Sequence, residues 1–468
     1  MWVFGDSAGL DFNGGAPVSF VSGMMSYEAS ASISDAEGNL LFYTNGENVW
    51  NKLHLEMPNG DSLHIGKLST SGYGSSITQG VIILPVPGSE TLFYIFQIQA
   101  DLLSDNYGLE YSVIDMEQDG GFGDIIEKNT ELFYTELEEK MQAVKHGNGR
   151  DWWLVVRMRE EIALEEFELT FVKFLITSKG ISGPFYQEIG PEYDSDMDHN
   201  WGQMVFSQDG SKMIYARGNE LNIYGFDRCS GELSEFATIH EITVYGCSIS
   251  PDASKIYLNA GCQKKLYQYC LSCDGEPIDS TKELIYDGPI GQFCLAQHHL
   301  GPDGKIYIAT GFNEIPNDVF NPITQNLNVI NNPNEIYSLC NFDTNTVSLG
   351  TRRVLVGLPN MPNYNLGALV GSECDTLETS VENLLEKTKI NIYPNPANDE
   401  LYLNCESDIE LNYSLKTIFG SEIRSGKFIG KETIDLSEIA SGVYIIEILD
   451  NLGTIKYSEK IVKPTERR

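Results

Sequence analysis

Three stretches of this 468-residue chain carry residue types that could do chemistry. The first is Asp194-Ser195-Asp196-Met197-Asp198-His199-Asn200, which sets carboxylates at alternate positions of one loop. Carboxylates spaced this way can converge on a hard cation such as Ca²⁺, which takes oxygen ligands in a flexible shell. The stretch begins like an EF-hand loop and then departs from it. His199 stands where the sharp turn needs Gly, and Val205 where the bidentate Glu belongs. Asp194, Asp196 and Asp198 are the candidate metal ligands and calcium the one candidate cofactor, against the plainer reading of a solvated loop. The second stretch is Cys262, Cys270 and Cys273, which contains one Cys-x-x-Cys. A structural zinc site needs a second pair, and a dithiol oxidoreductase needs a βαβ frame, so local disulfides are the better expectation. The third is His298-His299, placed just before the turn Gly301-Pro302-Asp303, where one imidazole could face the centre of a closed β structure.

Catalytic templates fail elsewhere, and no catalytic residue is assigned. Gly74-Ser75-Ser76 does not complete a nucleophile elbow, and His240-Glu241 is followed by Ile242-Thr243-Val244 rather than a second zinc-binding His. Gly120-Gly121-Phe122-Gly123 and Gly147-Asn148-Gly149 lack the strand-to-helix setting of phosphate-binding loops and read as turns.

The elements that must position these residues are short strands. Six times a turn rich in Asp, Gly, Asn or Pro leads into an apolar strand with an aromatic residue, at Tyr43, Tyr94, Trp153, Tyr215, Tyr257 and Tyr307. The intervals are 51, 59, 62, 42 and 50 residues. A period of that size with several strands per repeat is what propeller blades give. The best helical pattern in the body is Thr135 to Val144. Three short strands at the N-terminus (Trp2–Gly5, Leu10–Asn13, Pro17–Val21) have no repeat of their own. Joined to Pro359–Asn365 they would complete a seventh blade from both ends of the body and leave no open edge, with six blades as the alternative. The expected organisation is a propeller over 1–370, a polar linker over 371–389 with one helical turn at most (Val381 to Glu386), and a small domain over 390–468.

That last domain reads as an immunoglobulin-like sandwich of seven strands: Ile390–Tyr393, Glu400–Asn404, Leu411–Ile418, Glu422–Lys427, Glu432–Leu436, Gly442–Leu449 and Ile455–Val462. The fold class is therefore all-β. Net charge is −36, with −4 on residues 381–468 and −32 on the rest, a field that repels phosphate backbones and argues against nucleic acid as a partner. No apolar run reaches the length of a membrane span. Nine cysteines, six of them between Cys229 and Cys294, suit an exported protein with local disulfides and leave at least one thiol free. Met1-Trp2-Val3-Phe4-Gly5-Asp6 reads as strand rather than as a signal sequence. Either the protein is cytoplasmic, or the true start lies upstream and a signal peptide is missing from this chain.

Two resemblances follow from these residues. Trp2 to Phe12, Ile33-Ser34-Asp35 to Gly46, Val49-Trp50-Asn51, Phe226 to Gly231, Leu300 to Tyr307, Val329 to Asn334 and Gly357-Leu358-Pro359-Asn360 resemble a family of exported propeller-like proteins (WD40/YVTN-like) from gliding and related Bacteroidota. In that family the Trp-x-Phe-Gly strand follows a cleaved signal peptide, and the family implies a scaffold rather than an activity. The tail resembles the type A C-terminal sorting domain of type IX secretion substrates. The pattern is carried by Tyr393-Pro394-Asn395-Pro396, Leu401-Tyr402-Leu403, Gly420, Leu436, Gly442, Tyr444, Ile446 and Lys460-Ile461-Val462-Lys463. Cys405 and the extension Pro464 to Arg468 depart from it. The resemblance implies recognition by the outer-membrane translocon, removal by its C-terminal signal peptidase, and a secreted or surface-displayed product. The resulting reading is a binding or interaction module for an extracellular protein or glycan; the alternative is an extracellular hydrolase or lyase with a site in the propeller channel.

Overall fold

A computed structural model describes all residues except 65–74, 101–106, 164–165, 191–200, 242, 261–263, 274, 290–292, 313–319, 376–389, 406–410, 418–421, 438, 450–454 and 465–468. The chain divides into two compact units, Met1–Asp375 and Thr376–Arg468. The expected linker begins inside the first unit, and Val381 to Glu386 lie outside the described residues.

Among the described residues the first unit holds seven antiparallel sheets, each built from strands in chain order. Their first strands are Trp2–Phe4, Ala31–Ser34, Val81–Pro85, Leu137–Lys145, Met204–Phe206, Val244–Ile249 and Phe293–Leu300. First strands of neighbouring sheets pack against each other, so the sheets ring a common axis as a β-propeller. All six recurring aromatics fall on the second strand of sheets two to seven. Most are buried between adjacent sheets, as where the Phe171 and Tyr215 rings meet edge-on at 5.4 Å. The turns before them work as their composition suggests. Asp209 Oδ1 accepts the Ser211 N–H at 3.0 Å, and Asp252 Oδ1 accepts that of Ser254 at 3.0 Å. Gly210 takes the positive φ (70°) that its tight turn requires.

Two expectations are corrected. Thr135 to Val144 holds no helix; Leu137–Lys145 is the first strand of sheet four, and eight of its nine residues are buried, the charged Glu138, Glu139 and Lys140 among them. A run of charged residues next to apolar ones mimics helical amphipathicity, but here the charges face the propeller interior. Nor does Pro359–Asn365 add a strand. The three N-terminal strands form their own sheet, Trp2–Phe4, Asp6–Asp11 and Val18–Met25. The ring is joined upstream of the expected segment, where the Asp6 N–H bonds to the Arg353 carbonyl at 3.0 Å and Arg353 Nε pairs with Asp6 Oδ2 at 3.1 Å. Trp2 of sheet one also meets Tyr307 of sheet seven edge-on at 5.4 Å.

Beyond Arg353 the chain forms a strap that crosses the axis and is then stapled down. Arg228 donates to the carbonyls of Lys145 (2.8 Å) and Gly367 (2.6 Å), and a Cys229–Cys374 disulfide ties the end of the unit to sheet five. Gly147 is glycine for this reason: a Cβ there would lie 2.1 Å from Cys374 Sγ. The Cys-x-x-Cys forms the local disulfide Cys270–Cys273, while Cys262 lies outside the described residues. Cys247 and Cys340 are buried thiols outside these two disulfides.

The second unit is a sandwich of a three-stranded sheet (Ile390–Tyr393, Glu400–Cys405, Lys431–Asp435) and a four-stranded one (Leu411–Thr417, Glu422–Phe428, Gly442–Leu449, Ile455–Lys463). Alternate residues such as Leu401, Leu403, Leu415, Ile446 and Ile448 fill its core.

The ring junction is testable. Arg353→Met leaves the buried Asp6 carboxylate without this guanidinium, a loss expected to cost about 3–5 kcal/mol. Urea unfolding should show a drop of that order, and adding Asp6→Asn to Arg353→Met should recover part of it.

Candidate functional site at the propeller axis

The axis is closed by side-chain amides. Gln79, next to the first strand of sheet three, donates to the Met204 carbonyl of sheet five at 3.1 Å and accepts the Met204 N–H at 2.6 Å. Gln203 of sheet five donates to the His298 carbonyl of sheet seven at 2.9 Å and accepts the N–H groups of His298 (2.8 Å) and Cys247 (3.2 Å). Gln297 of sheet seven donates back to the Thr78 carbonyl of sheet three at 2.6 Å. These three links join sheets that are not neighbours and make a triangle across the axis. Asn360, carried in by the strap, seats on it. Its Oδ1 accepts from Gln79 (3.1 Å) and Gln142 (2.9 Å), and its Nδ2 donates to the carbonyls of Val81 (3.2 Å) and Met141 (3.0 Å).

On one side of this belt lies a half-open cavity of about 540 Å³. Its floor is Gln79, Gln142, Gln203, Gln297, His298 and Asn360, and its walls include Val205, Phe206, Pro359, Met361 and Tyr364. Both His298 and His299 line it, as their place before the turn suggested. The His298 tautomer is set by its neighbours. Asn259 Oδ1 accepts the Gly246 N–H, so its Nδ2 is the donor facing His298 Nε2 at 3.3 Å. The ring proton therefore sits on Nδ1 and is donated to Ser248 Oγ at 3.1 Å. That polarity is the reverse of what a base activating Ser248 requires. Burial also lowers the His298 pKa to about 3 and pushes the Cys247 thiol up, so the imidazole is neutral and the thiol protonated.

Toward the other end of the axis a second group of polar side chains is buried. Glu138 pairs with Arg217 (2.7 Å) and Lys140 (3.5 Å), and Lys140 donates to the carbonyls of Trp201 (3.0 Å) and Ala216 (2.8 Å). Burial alone would raise the Glu138 pKa; the charges of Lys140, Arg217 and Arg157 outweigh it and hold the carboxyl below its usual range. Glu139 points elsewhere, its Oε2 accepting from Thr78 Oγ1 at 3.2 Å. Desolvation raises Glu139 to about 7 and, together with the Glu139 charge, raises Glu28 well above its ordinary value. Tyr245 is likewise raised, by burial first and by the charges of Glu28 and Glu139 second.

The remaining sequence-predicted residues divide cleanly. Asp194, Asp196 and Asp198 lie outside the described residues, as does Gly420. In the tail the structure brings Asn395, Lys460 and Val462 together: Asn395 Nδ2 donates to the Lys460 carbonyl (2.7 Å) and its Oδ1 accepts the Val462 N–H (3.1 Å). Pro394 and Pro396 flank this clamp, which continues at the next residue with the Ala397 N–H on the Val462 carbonyl. Tyr393 pairs across to Tyr402, Gly442 pairs with Lys463, Tyr444 donates to the Ala440 carbonyl at 2.6 Å, and Lys463 reaches the Leu436 carbonyl. The belt glutamines are absent from the sequence reading, yet a signal for them exists. Gln79, Gln142, Gln203, Cys247 and Gln297 lie 63, 61, 44 and 50 residues apart, nearly the rhythm of the aromatics.

The family described as the secretion system C-terminal sorting domain matches residues 391–464. The chain thus carries a type IX sorting tail and is destined for secretion or the cell surface. No curated protein matches the chain. Among solved structures, periplasmic gluconolactonase of Pseudomonas aeruginosa is 9% identical, with 91% of this chain and 95% of that one covered at a TM-score of 0.40. A protein from Lactobacillus plantarum is 8% identical, with 86% and 98% covered at 0.37. Likenesses this distant say nothing of activity. Among the described residues no helix is long and apolar enough to cross a membrane.

The Glu139 carboxyl sets a pH dependence. Its folded pKa, about 7, lies above its ordinary 4.5, so the native state keeps a proton that the unfolded chain releases. Its stabilising contribution is complete below about 4.5, is lost as pH rises to about 7, and is flat beyond. The shift corresponds to roughly 3 kcal/mol. Glu139→Gln should remove most of this decline, measured as the difference in urea unfolding free energy between acid and mildly alkaline buffer.

Proposed function

We propose that this protein is an exported propeller that captures an extracellular ligand in its axial cavity without transforming it. The observation that carries the reading is the cavity floor. It is a set of amides from four sheets and the strap, with an imidazole whose ring nitrogens both bond to protein groups. Such a floor can orient a ligand through hydrogen bonds, and it offers no poised base or nucleophile. The type IX translocon and its C-terminal signal peptidase are the partners that the tail implies. Its clamp of Asn395 on the last strand holds the two ends of the motif together.

A panel of polysaccharides and peptides offered to the full-length protein tests this. Saturable binding without product is expected, and turnover of a ligand would overturn it. Deleting residues 390–468 should leave the protein in the periplasm; its continued appearance in the medium would contradict export through the tail.

One observation favours the second reading, an extracellular hydrolase or lyase. Glu28 and Glu139 are both buried, act on each other's ionisation, and both carry raised pKa values, as an acid and base pair would. On that reading Glu28→Gln and Glu139→Gln each abolish turnover while the protein keeps its fold.

A further inference from the structure

The wall of the cavity and the body around it differ sharply in charge. Residues 1–380 carry a net −32, yet among the described residues Asp35 is the one charged side chain lining the cavity. Asp35 is itself occupied, accepting the Asn39 N–H at 2.7 Å and Asn39 Nδ2 at 2.9 Å. The two imidazoles are held neutral by desolvation. An anionic ligand would approach through a repulsive field and find no cationic side chain in the lining; the Met1 α-amine there donates to Ser34 Oγ at 3.0 Å, and burial lowers its pKa. A cationic one would give up its hydration for a single lining carboxylate, Asp35, whose two oxygens already accept hydrogen bonds from Asn39.

What the lining does offer is paired donors and acceptors. Gln142 Nε2 donates one hydrogen to Asn360 Oδ1 and Gln203 Nε2 one to the His298 carbonyl, and each amide nitrogen carries a second hydrogen. At the mouth, Gln208 and Asn365 are exposed amides. Between floor and mouth the wall is apolar, with Phe206 and Tyr364 half-buried. A group that donates and accepts at one atom is a hydroxyl, and a molecule that joins hydroxyl edges to an apolar ring face is a sugar. A volume near 540 Å³ lies within the span of about 300–1,000 Å³ usual for small-ligand sites, and an extended peptide would need a groove rather than a cup.

We infer that the cavity takes a neutral saccharide, the end or a branch of an uncharged glycan, with its hydroxyls on the Gln142 and Gln203 amides and a ring face against Phe206 and Tyr364. The inference rests on reading the axial cavity as the ligand site. It is tested on the full-length protein with an array of neutral glycans, uronic-acid and sulfated glycans and peptides, followed by titration calorimetry on whatever binds. The exposed mouth residues provide blocking variants, Gln208→Trp and Asn365→Trp, whose folding is checked by an unchanged melting temperature.

Saturable binding of a neutral glycan is expected, barely sensitive to salt and weakened at least tenfold by Asn365→Trp. Binding confined to acidic glycans or peptides, and blocked by the same variants, would overturn the ligand class while leaving the cavity as the site. Neutral-glycan binding untouched by either variant would overturn the cavity reading itself. Failure to bind any neutral glycan in the array overturns the inference.

Discussion

Everything in the body depends on the amides that cross its axis. Hydrophobic contact between neighbouring sheets is strong but has no direction, so it favours closure without setting how the sheets sit about the centre. The links Gln79–Met204, Gln203–His298 and Gln297–Thr78 do have direction, and they join sheets three, five and seven to one another. Each is a buried hydrogen bond of modest net value. Replacing one amide by an apolar side chain strands a buried partner, at about 1–3 kcal/mol per group. Asn360 multiplies the effect, because four separate groups converge on its one side chain.

The belt also divides the axis chemically. With the centre filled, the axis has a cavity on one side of the belt and a buried cluster of charged side chains on the other. The cavity side carries little charge beyond Asp35, because its imidazoles are desolvated and its amides are neutral. The other side concentrates Glu28, Glu138, Glu139, Lys140 and Arg217 within low-polarity surroundings. There a fixed pair, Glu138 with Arg217, stays ionised, while Glu139 beside Thr78 drifts toward neutrality. Two adjacent residues of one strand thus take opposite protonation behaviour because alternate side chains meet different neighbours.

Much of this was legible in the residues, and the failures share one cause. The Asp-Gly turns and the aromatics after them located the second strand of six sheets, because turn chemistry and strand periodicity are local. The sandwich strands of the tail were found for the same reason. Glu138-Glu139-Lys140 misled, since burial of charge is paid for by Arg217 and Thr78, residues far away in sequence. Pro359–Asn365 misled likewise: nothing local says that Asn360 will bond Val81, 279 residues upstream. The glutamines were visible only as a second rhythm laid over the aromatic one, and a rhythm of polar residues is read as significant only once they are known to be inside.

The length of those contacts bears on why the body ends as it does. Asn360 reaches partners 218 to 281 residues earlier, so the belt can be completed only after almost the whole body exists. Closing such loops carries an entropic cost before any bond repays it, which places the strap among the last segments to settle. A segment that docks last is also the first to leave unless something else retains it. Arg228 holds the strap at Gly367, and the Cys229–Cys374 disulfide fastens it one residue before the end of the unit. The staple lies wholly within the body, so residues of the body itself hold the axial plug in place.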